Sequence, residues 1–261
     1  MDPAEVDLII VATVTPDMFF PSSACLLQTK IGATKAWGFD LSGACSGFLY
    51  ALATASQFIA GGTYSKILVV GADVMTSIID FQDRATCVLF GDGAGAVLVE
   101  PAEEGEQGII DFILRSDGEG GQFLYMPAGG SLNPSSADTI KKRMHYVHQD
   151  GKNVFKYAVR GMADVSQEML DRHKLTAQDL KLYVPHQANL RIIRAAVERM
   201  GLSESQVAIN IDKYANTTAG TIPICLSEAV ESKRIGRNDL IMLASFGAGF
   251  TWGSLLLRWE F

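Results

Sequence analysis

The stretch FDLSGACSGFLYALATASQFIAGG, from Phe39 to Gly62, decides the fold of this chain. It is typical of a strand end, a turn that contains Gly43 and Gly47, and then a helix. A helix on a protein surface shows a polar stripe every three to four residues. From 48 to 60 no residue is charged, and the polar residues are Thr54, Ser56 and Gln57. The sequence therefore predicts a helix buried inside the protein.

Cys45 is the one thiol in this stretch, and it stands at the turn before the helix. The free N–H groups and the positive dipole at a helix start favour a thiolate over a thiol. The flanking glycines would permit a sharp turn, as in the G-x-S-x-G nucleophile elbow, with sulfur in place of oxygen. Cysteine is also often buried for packing alone. The stretch by itself leaves a nucleophile and a core thiol equally open.

The composition is that of a globular protein, with 261 residues of which 48% are apolar and 20% charged. A net charge of -7 argues against nucleic acid as the main partner. The four cysteines lie far apart without C-x-x-C spacing, which fits neither a disulfide framework nor a zinc site. We find no signal-peptide pattern and no continuous apolar run long enough for a membrane span. We therefore expect a cytoplasmic, soluble protein without a metal.

Short runs rich in β-branched residues alternate with helical patterns, which predicts strands in layers with helices between them. The first series of strands is VDLIIVAT, AWGFDLS, KILVVGAD and AGAVLVE. The second series is GIIDFILRSDG, LKLYVPH, VAINI, DLIMLAS and GSLLLRW. Helices are expected near 22–31, 48–60, 154–172, 189–200 and 222–233. We interpret 135–153 as a loop, and read no metal site from its His145 and His148.

The two series echo each other. AEVDLIIVAT matches AQDLKLYVPH at an offset of 173 to 174, and KILVVGA matches DLIMLAS at 173. We interpret this as a duplicated α/β unit with halves 1–107 and 108–261 in one body. A strand and a long helix precede LKLYV, whereas few residues precede VDLII. We therefore expect the first half to be N-terminally incomplete and strands such as VDLIIVAT to expose an edge.

Two polar residues stand where strands of the second half should end. His186 follows the strand in LYVPHQANLRII, and Asn216 lies in a loop of small hydroxyl residues within YANTTAGTIP. Functional groups gather at such turns in α/β folds. A lone histidine is more often structural, and a loop asparagine usually caps a turn. The occurrence of Cys45, His186 and Asn216 at comparable turns favours a shared site.

Five motifs together resemble one enzyme family. GACSGFLYAL, FGDGAGAVL, VPHQANLRII, YANTTAGTIP and FGAGFTWGSLLLRW are similar to β-ketoacyl-acyl-carrier-protein synthase III, an acyltransferase that begins type II fatty-acid synthesis. The resemblance covers essentially the whole chain. GDGAGA alone could suggest a dinucleotide loop, but it lacks the G-x-G-x-x-G spacing. The resemblance implies a thiolase-like fold of αβαβα layers with the nucleophile helix in the middle, and a homodimer.

The resemblance also implies a mechanism without a cofactor. Cys45 would take the acyl group from a short acyl-CoA. Malonyl-acyl carrier protein would then lose CO2, and neutral His186, through its Nε2–H, would stabilise the enolate together with Asn216. The carbanion would attack acyl-Cys45. The backbone amides of Cys45 and Ala248 would form the oxyanion hole for that step.

Other residues match family positions less specifically. By resemblance, Arg84 contacts CoA and Asn189 lies in the pocket near the histidine. Phe20 matches a phenylalanine that crosses the dimer interface and closes the partner's acyl pocket. A surface ion pair with Asp83 is an equal alternative for Arg84, and core packing is an alternative for Phe20.

The helix after His186 carries Arg191, Arg194 and Arg199 within about 140° of one another around its axis. Such a basic face would suit an acidic carrier protein. The ordinary alternative is a solvent-exposed helix face, whose positive charge Glu198 partly offsets.

Two other functions remain open from the sequence. One is a type III polyketide or chalcone-type synthase, which uses the same Cys, His and Asn but usually free CoA extender units. The other is a non-catalytic chain that acts as a structural partner for a complete synthase. A tryptophan and an arginine that help clamp the CoA adenine in this family would precede Met1, so we expect impaired CoA binding by this chain alone.

Overall fold

The computed structural model describes residues 2–261, which form ten β-strands and seven α-helices. In chain order they are β1 Leu8–Ala12, α1 Ser23–Ile31, β2 Trp37–Leu41, α2 Gly47–Ala60, β3 Ile67–Val74, β4 Asp92–Val99, β5 Ile109–Ser116, β6 Leu124–Tyr125, α3 Ala137–Lys141, β7 His148–Gln149, α4 Gly151–His173, β8 Leu182–Pro185, α5 Leu190–Met200, α6 Ile211–Tyr214, α7 Thr221–Glu231, β9 Leu240–Gly247 and β10 Thr251–Arg258.

The strands form two four-stranded sheets and one small pair. The first sheet has the order β2-β1-β3-β4, and the second has the order β5-β10-β9-β8. In the first, β1 is parallel to β3, which pairs antiparallel with β4. In the second, β8 is parallel to β9, which pairs antiparallel with β10. The same arrangement thus occurs twice, as the duplicated pattern in the sequence predicted.

Strand β1 is buried on both faces, to which successive side chains point in alternation. In β1, Leu8 and Ile10 join the central core, whereas Ile9 and Val11 pack against α1. Helices α2 and α7 contribute to the same central core, between the two sheets. Helices α4 and α5 cover the other face of the second sheet. The order of layers is therefore αβαβα, which confirms the predicted fold class.

Helix α2 is buried as its sequence predicted. Phe48, Leu49, Ala51 and Ala55 are fully enclosed, and the helix contacts strands of both sheets. Its alanines leave room for two sheets to approach the helix from opposite sides. Between residues 2 and 261, no helix combines the length and the apolar composition that crossing a membrane requires.

Two predictions about local structure are wrong. VAINI is not a strand, because Val207 makes only one β-bridge, to Tyr183, and the chain then turns into α6. The segment 135–153 is not all loop, since it contains α3 and β7.

The expectation about the sheet edge is wrong as well. Strand β1 lies inside the first sheet, with β2 and β3 as neighbours, and all five of its residues are buried. The edges of the first sheet are β2 and β4. Strand β4 pairs with β3 alone, whereas its counterpart β10 pairs with both β9 and β5.

Candidate active site

Cys45 lies in a short 3-10 turn, Ala44–Ser46, that leads directly into α2. The sharp bend falls on Ala44, whose φ of 45° is in the left-handed region. Gly47 already has helical angles, so it is not the residue that bends the chain. Gly43 is needed for close approach, because a Cβ there would lie 2.9 Å from the Cα of Gly47. The two glycines therefore act through packing and not through unusual backbone angles.

Strand β9 fixes the position of the Cys45 backbone. The hydroxyl of Ser245 donates a hydrogen bond of 2.7 Å to the carbonyl oxygen of Cys45. Two residues on, a Cβ at Gly247 would lie 2.9 Å from the Cβ of Cys45. Only glycine lets the strand pass this close to the thiol without displacing it.

His186 follows the end of β8, and its N–H donates to the carbonyl of Ala244 in β9 at 2.7 Å. Its side chain is 1% exposed. Burial disfavours the charged form and lowers the pKa of His186 to about 3. The imidazole is therefore neutral throughout the physiological pH range. Its Nδ1 lies 2.7 Å from the hydroxyl of Thr221, and its Nε2 is buried without a hydrogen-bond partner among the described residues.

Asn216 is held by its backbone and by its own side chain. Its N–H donates to Leu89 at 2.9 Å, and its carbonyl accepts from Gly91 at 3.0 Å. Its Oδ1 accepts a hydrogen bond of 2.9 Å from the N–H of Thr218. Because Oδ1 already has this partner, the Nδ2 group is the side-chain donor that remains for a ligand.

The structure brings Cys45, His186 and Asn216 to one cavity of about 290 Å³. Most of the remaining wall is apolar, and it includes Leu89, Phe155, Met162 and Phe246. An enclosed apolar pocket with a few convergent polar groups is the usual form of a small-molecule site.

The Cys45 thiol does not have the low pKa that its place before a helix suggested. Burial, and then the charge of Asp73, raise its pKa to about 12. Hydrogen bonds from the backbone N–H groups of Cys45 and Ala248 to the sulfur act in the opposite direction. The loss of water outweighs these two donors and favours the thiol over the thiolate. The same two amides are the predicted oxyanion-hole donors.

Asp73, at the end of β3, is a buried residue that the motif analysis missed. Its Oδ1 accepts hydrogen bonds from Thr13, Val14 and Thr15, and its Oδ2 accepts one of 3.0 Å from the N–H of Ala219. The carboxylate thus joins the loop after β1 to the segment that follows Asn216. The sequence did contain a signal for this residue, because an acidic residue stands at the end of the otherwise apolar run KILVVGAD.

Two other predicted residues lie at the cavity. Asn189 lines it and caps α5, with its Oδ1 accepting from the N–H of Arg191 at 2.9 Å. Arg191 also lines the cavity, and its guanidinium lies 5.4 Å from the centre of the Phe155 ring.

The remaining predicted residues lie outside the cavity wall. Arg84 is exposed beside Ala85, which lines the cavity, and within 2–261 it forms no ion pair. Phe20 is 85% exposed, which excludes core packing within this chain. Arg194 is exposed, whereas Arg199 pairs with Asp164 of α4.

The segment that was considered for metal binding has other contacts. His145 Nε2 lies 3.0 Å from the hydroxyl of Thr139, and the His148 ring packs edge-on against Tyr125. In the part of the chain that the structure describes, no group of three His, Cys, Asp or Glu residues could hold a metal ion.

A five-layered fold with a buried cysteine before its central helix, facing histidine and asparagine, defines the class of thiolase-like condensing enzymes. Residues 39–118 match the family model described as 3-oxoacyl-[acyl-carrier-protein] synthase III, and residues 170–259 match its C-terminal model. The β-ketoacyl-[acyl-carrier-protein] synthase III of Koribacter versatilis is 55% identical over 100% of this chain and 79% of its own length. The chain belongs to the β-ketoacyl-acyl-carrier-protein synthase III family.

Solved structures agree with this assignment. The crystal structure of 3-oxoacyl-[acyl-carrier-protein] synthase III from Aquifex aeolicus matches with a TM-score of 0.90 and 41% identity, over 99% of this chain and 79% of that one. The priming β-ketosynthase of the R1128 polyketide pathway matches with a TM-score of 0.90 and 35% identity, over 100% and 77%.

Proposed function

We propose that this protein catalyses the decarboxylative Claisen condensation of a short acyl-CoA with malonyl-acyl carrier protein and so initiates type II fatty-acid synthesis. The observation that carries the proposal is the meeting of Cys45, His186 and Asn216 in one enclosed cavity of a synthase III chain. The cavity offers one nucleophile and two neutral donors. That set suits acyl transfer followed by enolate stabilisation.

In the first half-reaction Cys45 attacks the thioester carbonyl of acyl-CoA. The S–CoA bond breaks, the acyl group stays on Cys45, and the thiol proton leaves with CoA as its free thiol. Negative charge develops on the carbonyl oxygen in the tetrahedral intermediate. The N–H groups of Cys45 and Ala248, which converge on the sulfur, are placed to meet that charge.

In the second half-reaction the malonyl group loses CO2 and leaves an enolate on the carrier-bound thioester. His186 and Asn216 donate hydrogen bonds to the enolate oxygen. Neither donor carries a charge, because burial keeps His186 neutral and an amide does not titrate. The enolate carbon then attacks acyl-Cys45, the C–S bond breaks, and the β-ketoacyl product leaves with Cys45 as a thiolate. The thiolate takes up a proton from solvent to restore the Cys45 thiol. The chemistry requires no cofactor beyond the two thioester substrates.

We assign substrate contacts to residues in the cavity wall and on the surface of the chain. We assign Arg84 to the CoA moiety and Asn189 to the pocket beside His186. We assign carrier-protein binding mainly to Arg191 and Arg194 on the basic face, because the charge of Arg199 is already paired with Asp164. Exposed Phe20 suits a homodimer in which it closes the partner's acyl pocket.

The two halves of the site come from the two halves of the duplication. We propose that 1–107 is the N-terminal half, which carries the nucleophile, and that 108–261 is the C-terminal half, which carries histidine and asparagine. We place the reaction in the cytoplasm, where acyl-CoA and malonyl-carrier protein occur together.

A second candidate is the priming of polyketide synthesis, since the R1128 priming β-ketosynthase is 35% identical. The chemistry is the same, and only the carrier protein and the acyl group differ. Condensation assays with malonyl-carrier protein and with free malonyl-CoA test the proposal, with mass spectrometry of the products. We expect product from the carrier-bound substrate alone. Product from free malonyl-CoA would indicate a chalcone-type synthase, and neither product nor acyl-Cys45 would indicate a non-catalytic chain.

A further inference from the structure

The neutral imidazole of His186 carries one proton, and the catalytic proposal needs that proton on Nε2. Nε2 lies within the protein without a partner among the described residues, whereas Nδ1 lies 2.7 Å from Thr221 Oγ1. The hydrogen bond made by one ring nitrogen decides which nitrogen is protonated. The Thr221 hydroxyl therefore controls the tautomer of His186.

The hydroxyl of Thr221 has a single proton and two neighbours that could accept it. One is His186 Nδ1 at 2.7 Å, and the other is the carbonyl oxygen of Thr218 at 3.2 Å. Bonds from a hydroxyl to oxygen are centred near 2.7–2.8 Å and rarely exceed about 3.0 Å, whereas bonds from an N–H group to oxygen are centred near 2.9–3.0 Å. The 3.2 Å contact with Thr218 is therefore long for a hydroxyl donor. The distances favour the arrangement in which Thr221 donates to His186 and the bond to Thr218 is weak.

We propose that Thr221 is a positioning residue that fixes His186 as the Nε2–H tautomer, so that the imidazole acts as a hydrogen-bond donor towards the bound thioester. The inference rests on the proposed function, because a donor at Nε2 is useful only if an enolate forms in the cavity. In the opposite tautomer, with Nδ1–H donating to Thr221, Nε2 would present a lone pair to the enolate and repel it.

The same short segment also orients the second donor. The N–H of Thr218 donates to Asn216 Oδ1, and the next N–H, of Ala219, donates to buried Asp73. Thr221 follows at the first position of α7. One turn anchored by Asp73 therefore sets both the tautomer of His186 and the direction of the Asn216 amide.

The test compares Thr221→Val, which keeps the shape of the side chain and removes the hydroxyl, with Thr221→Ser, which keeps the hydroxyl. Thr217→Val is the matched control, because Thr217 is buried in the same segment and its hydroxyl has no protein partner. Nitrogen-15 NMR of the histidine ring reports the tautomer directly in the resting protein. Decarboxylation of malonyl-carrier protein and acylation of Cys45 are measured separately for each variant.

We expect the wild type and Thr221→Ser to show a protonated Nε2 and a bare Nδ1. Thr221→Val should show a mixture of tautomers and decarboxylate more slowly by on the order of tenfold, by analogy with the lower end of the effects seen when a residue that orients a metal-binding histidine is removed. Its rate of Cys45 acylation should change less. Thr217→Val should match the wild type in the spectrum and in both rates.

A wild-type spectrum with the proton on Nδ1 would overturn the inference whatever the activities. An unchanged spectrum and decarboxylation rate in Thr221→Val would also overturn it. The same holds if Thr217→Val loses as much decarboxylation activity as Thr221→Val. If Thr221→Val does not fold, the NMR spectra of the wild type and of Thr221→Ser still show whether Nε2 carries the proton. If the wild type shows the Nε2–H tautomer but no condensation with any malonyl thioester, the proposed function fails and the tautomer assignment stands.

Discussion

At the scale of single residues, the cavity determines reactivity through the loss of water. Cys45 and Cys225 are both buried, and burial raises the pKa of each to about 12. Only Cys45 shares a cavity with His186 and Asn216, since the Cys225 thiol donates to Asn210 Oδ1 at 3.0 Å. The two thiols therefore differ in their neighbours and not in their acidity.

This difference predicts selective acylation. Incubation with acetyl-CoA should label Cys45 and leave Cys225 and the exposed Cys25 unlabelled, because transfer needs the oxyanion donors at Cys45 as well as a thiol. Peptide mass spectrometry identifies the labelled residue. Iodoacetamide is the control reagent, which should modify exposed Cys25 readily. Acetylation of Cys25 or Cys225 in place of Cys45 would refute the assignment of the nucleophile.

The high pKa of Cys45 predicts the pH dependence of its alkylation. Below the pKa, the thiolate fraction and hence the rate should rise about tenfold for each pH unit, from about pH 7 to about pH 9. The rate is followed by peptide mass spectrometry of the Cys45 peptide with iodoacetamide in excess. A plateau near neutral pH would indicate a thiolate already formed in the resting protein, and would contradict the effect of burial.

The two donors should act on one half-reaction. His186→Ala or Asn216→Ala should slow decarboxylation of malonyl-carrier protein by about 100- to 1,000-fold, the usual effect of removing an oxyanion donor. Acylation of Cys45 should fall less, because its donors are backbone amides. Stopped assays with each substrate alone separate the two rates. If either variant decarboxylates at the wild-type rate, the role assigned to the substituted residue is wrong.

At the scale of secondary-structure elements, one carboxylate joins two parts of the first half to the site. Asp73 accepts five hydrogen bonds, which connect the end of β3 with Thr13, Val14 and Thr15 after β1 and with Ala219 before α7. Burial raises the pKa of Asp73, and the hydrogen bonds from these donors act in the opposite direction. The turn behind Asn216 depends on this carboxylate.

Asp73→Asn should therefore destabilise the protein by about 1–3 kcal/mol, because an amide would direct N–H groups at N–H donors that now have an acceptor. Urea or thermal unfolding measures the change. Asp92→Asn is a suitable control, since Asp92 also accepts from a backbone N–H and a hydroxyl, at Thr76, but is exposed. Equal effects of the two substitutions would show that burial of Asp73 contributes nothing.

At the scale of the whole molecule, the loop before α1 presents apolar surface. Phe19 and Phe20 are each 85% exposed, which is unusual for side chains of this size. Adjacent exposed aromatic residues are typical of protein interfaces. This surface is where the proposed homodimer should form.

Phe20→Ala should weaken the dimer and broaden the choice of acyl group, because the proposed interface would lose an aromatic anchor that also closes the partner's pocket. Analytical ultracentrifugation across a dilution series measures the dimer, and competition between acyl-CoA chain lengths measures the selectivity. Val230→Ala, at an exposed position on α7, is the control. An unchanged dimer with unchanged selectivity would place the interface elsewhere.

The elements that were predicted well are those whose pattern is local. Helix α2 could be placed from its uncharged run, and β1, β3, β8 and β9 from their apolar runs, because strands inside the layers are built mainly from apolar residues. VAINI failed because its apolar residues satisfy a strand pattern while Asn210 adopts a φ of -147° and a ψ of 16° and starts α6. Asp73 was missed because its role depends on donors in distant segments.

The sequence by itself determined the alternation of strands and helices, the duplicated arrangement and the positions of Cys45, His186 and Asn216 at turns, since periodicity and turn residues are read over a few neighbours. The αβαβα order of layers followed from the resemblance to the synthase III family. Only the tertiary structure decided the protonation of the site. The pKa of Cys45 rises and that of His186 falls because strands and helices far apart in the chain exclude water from both. Desolvation depends on everything that surrounds a group in space, and no local pattern encodes it.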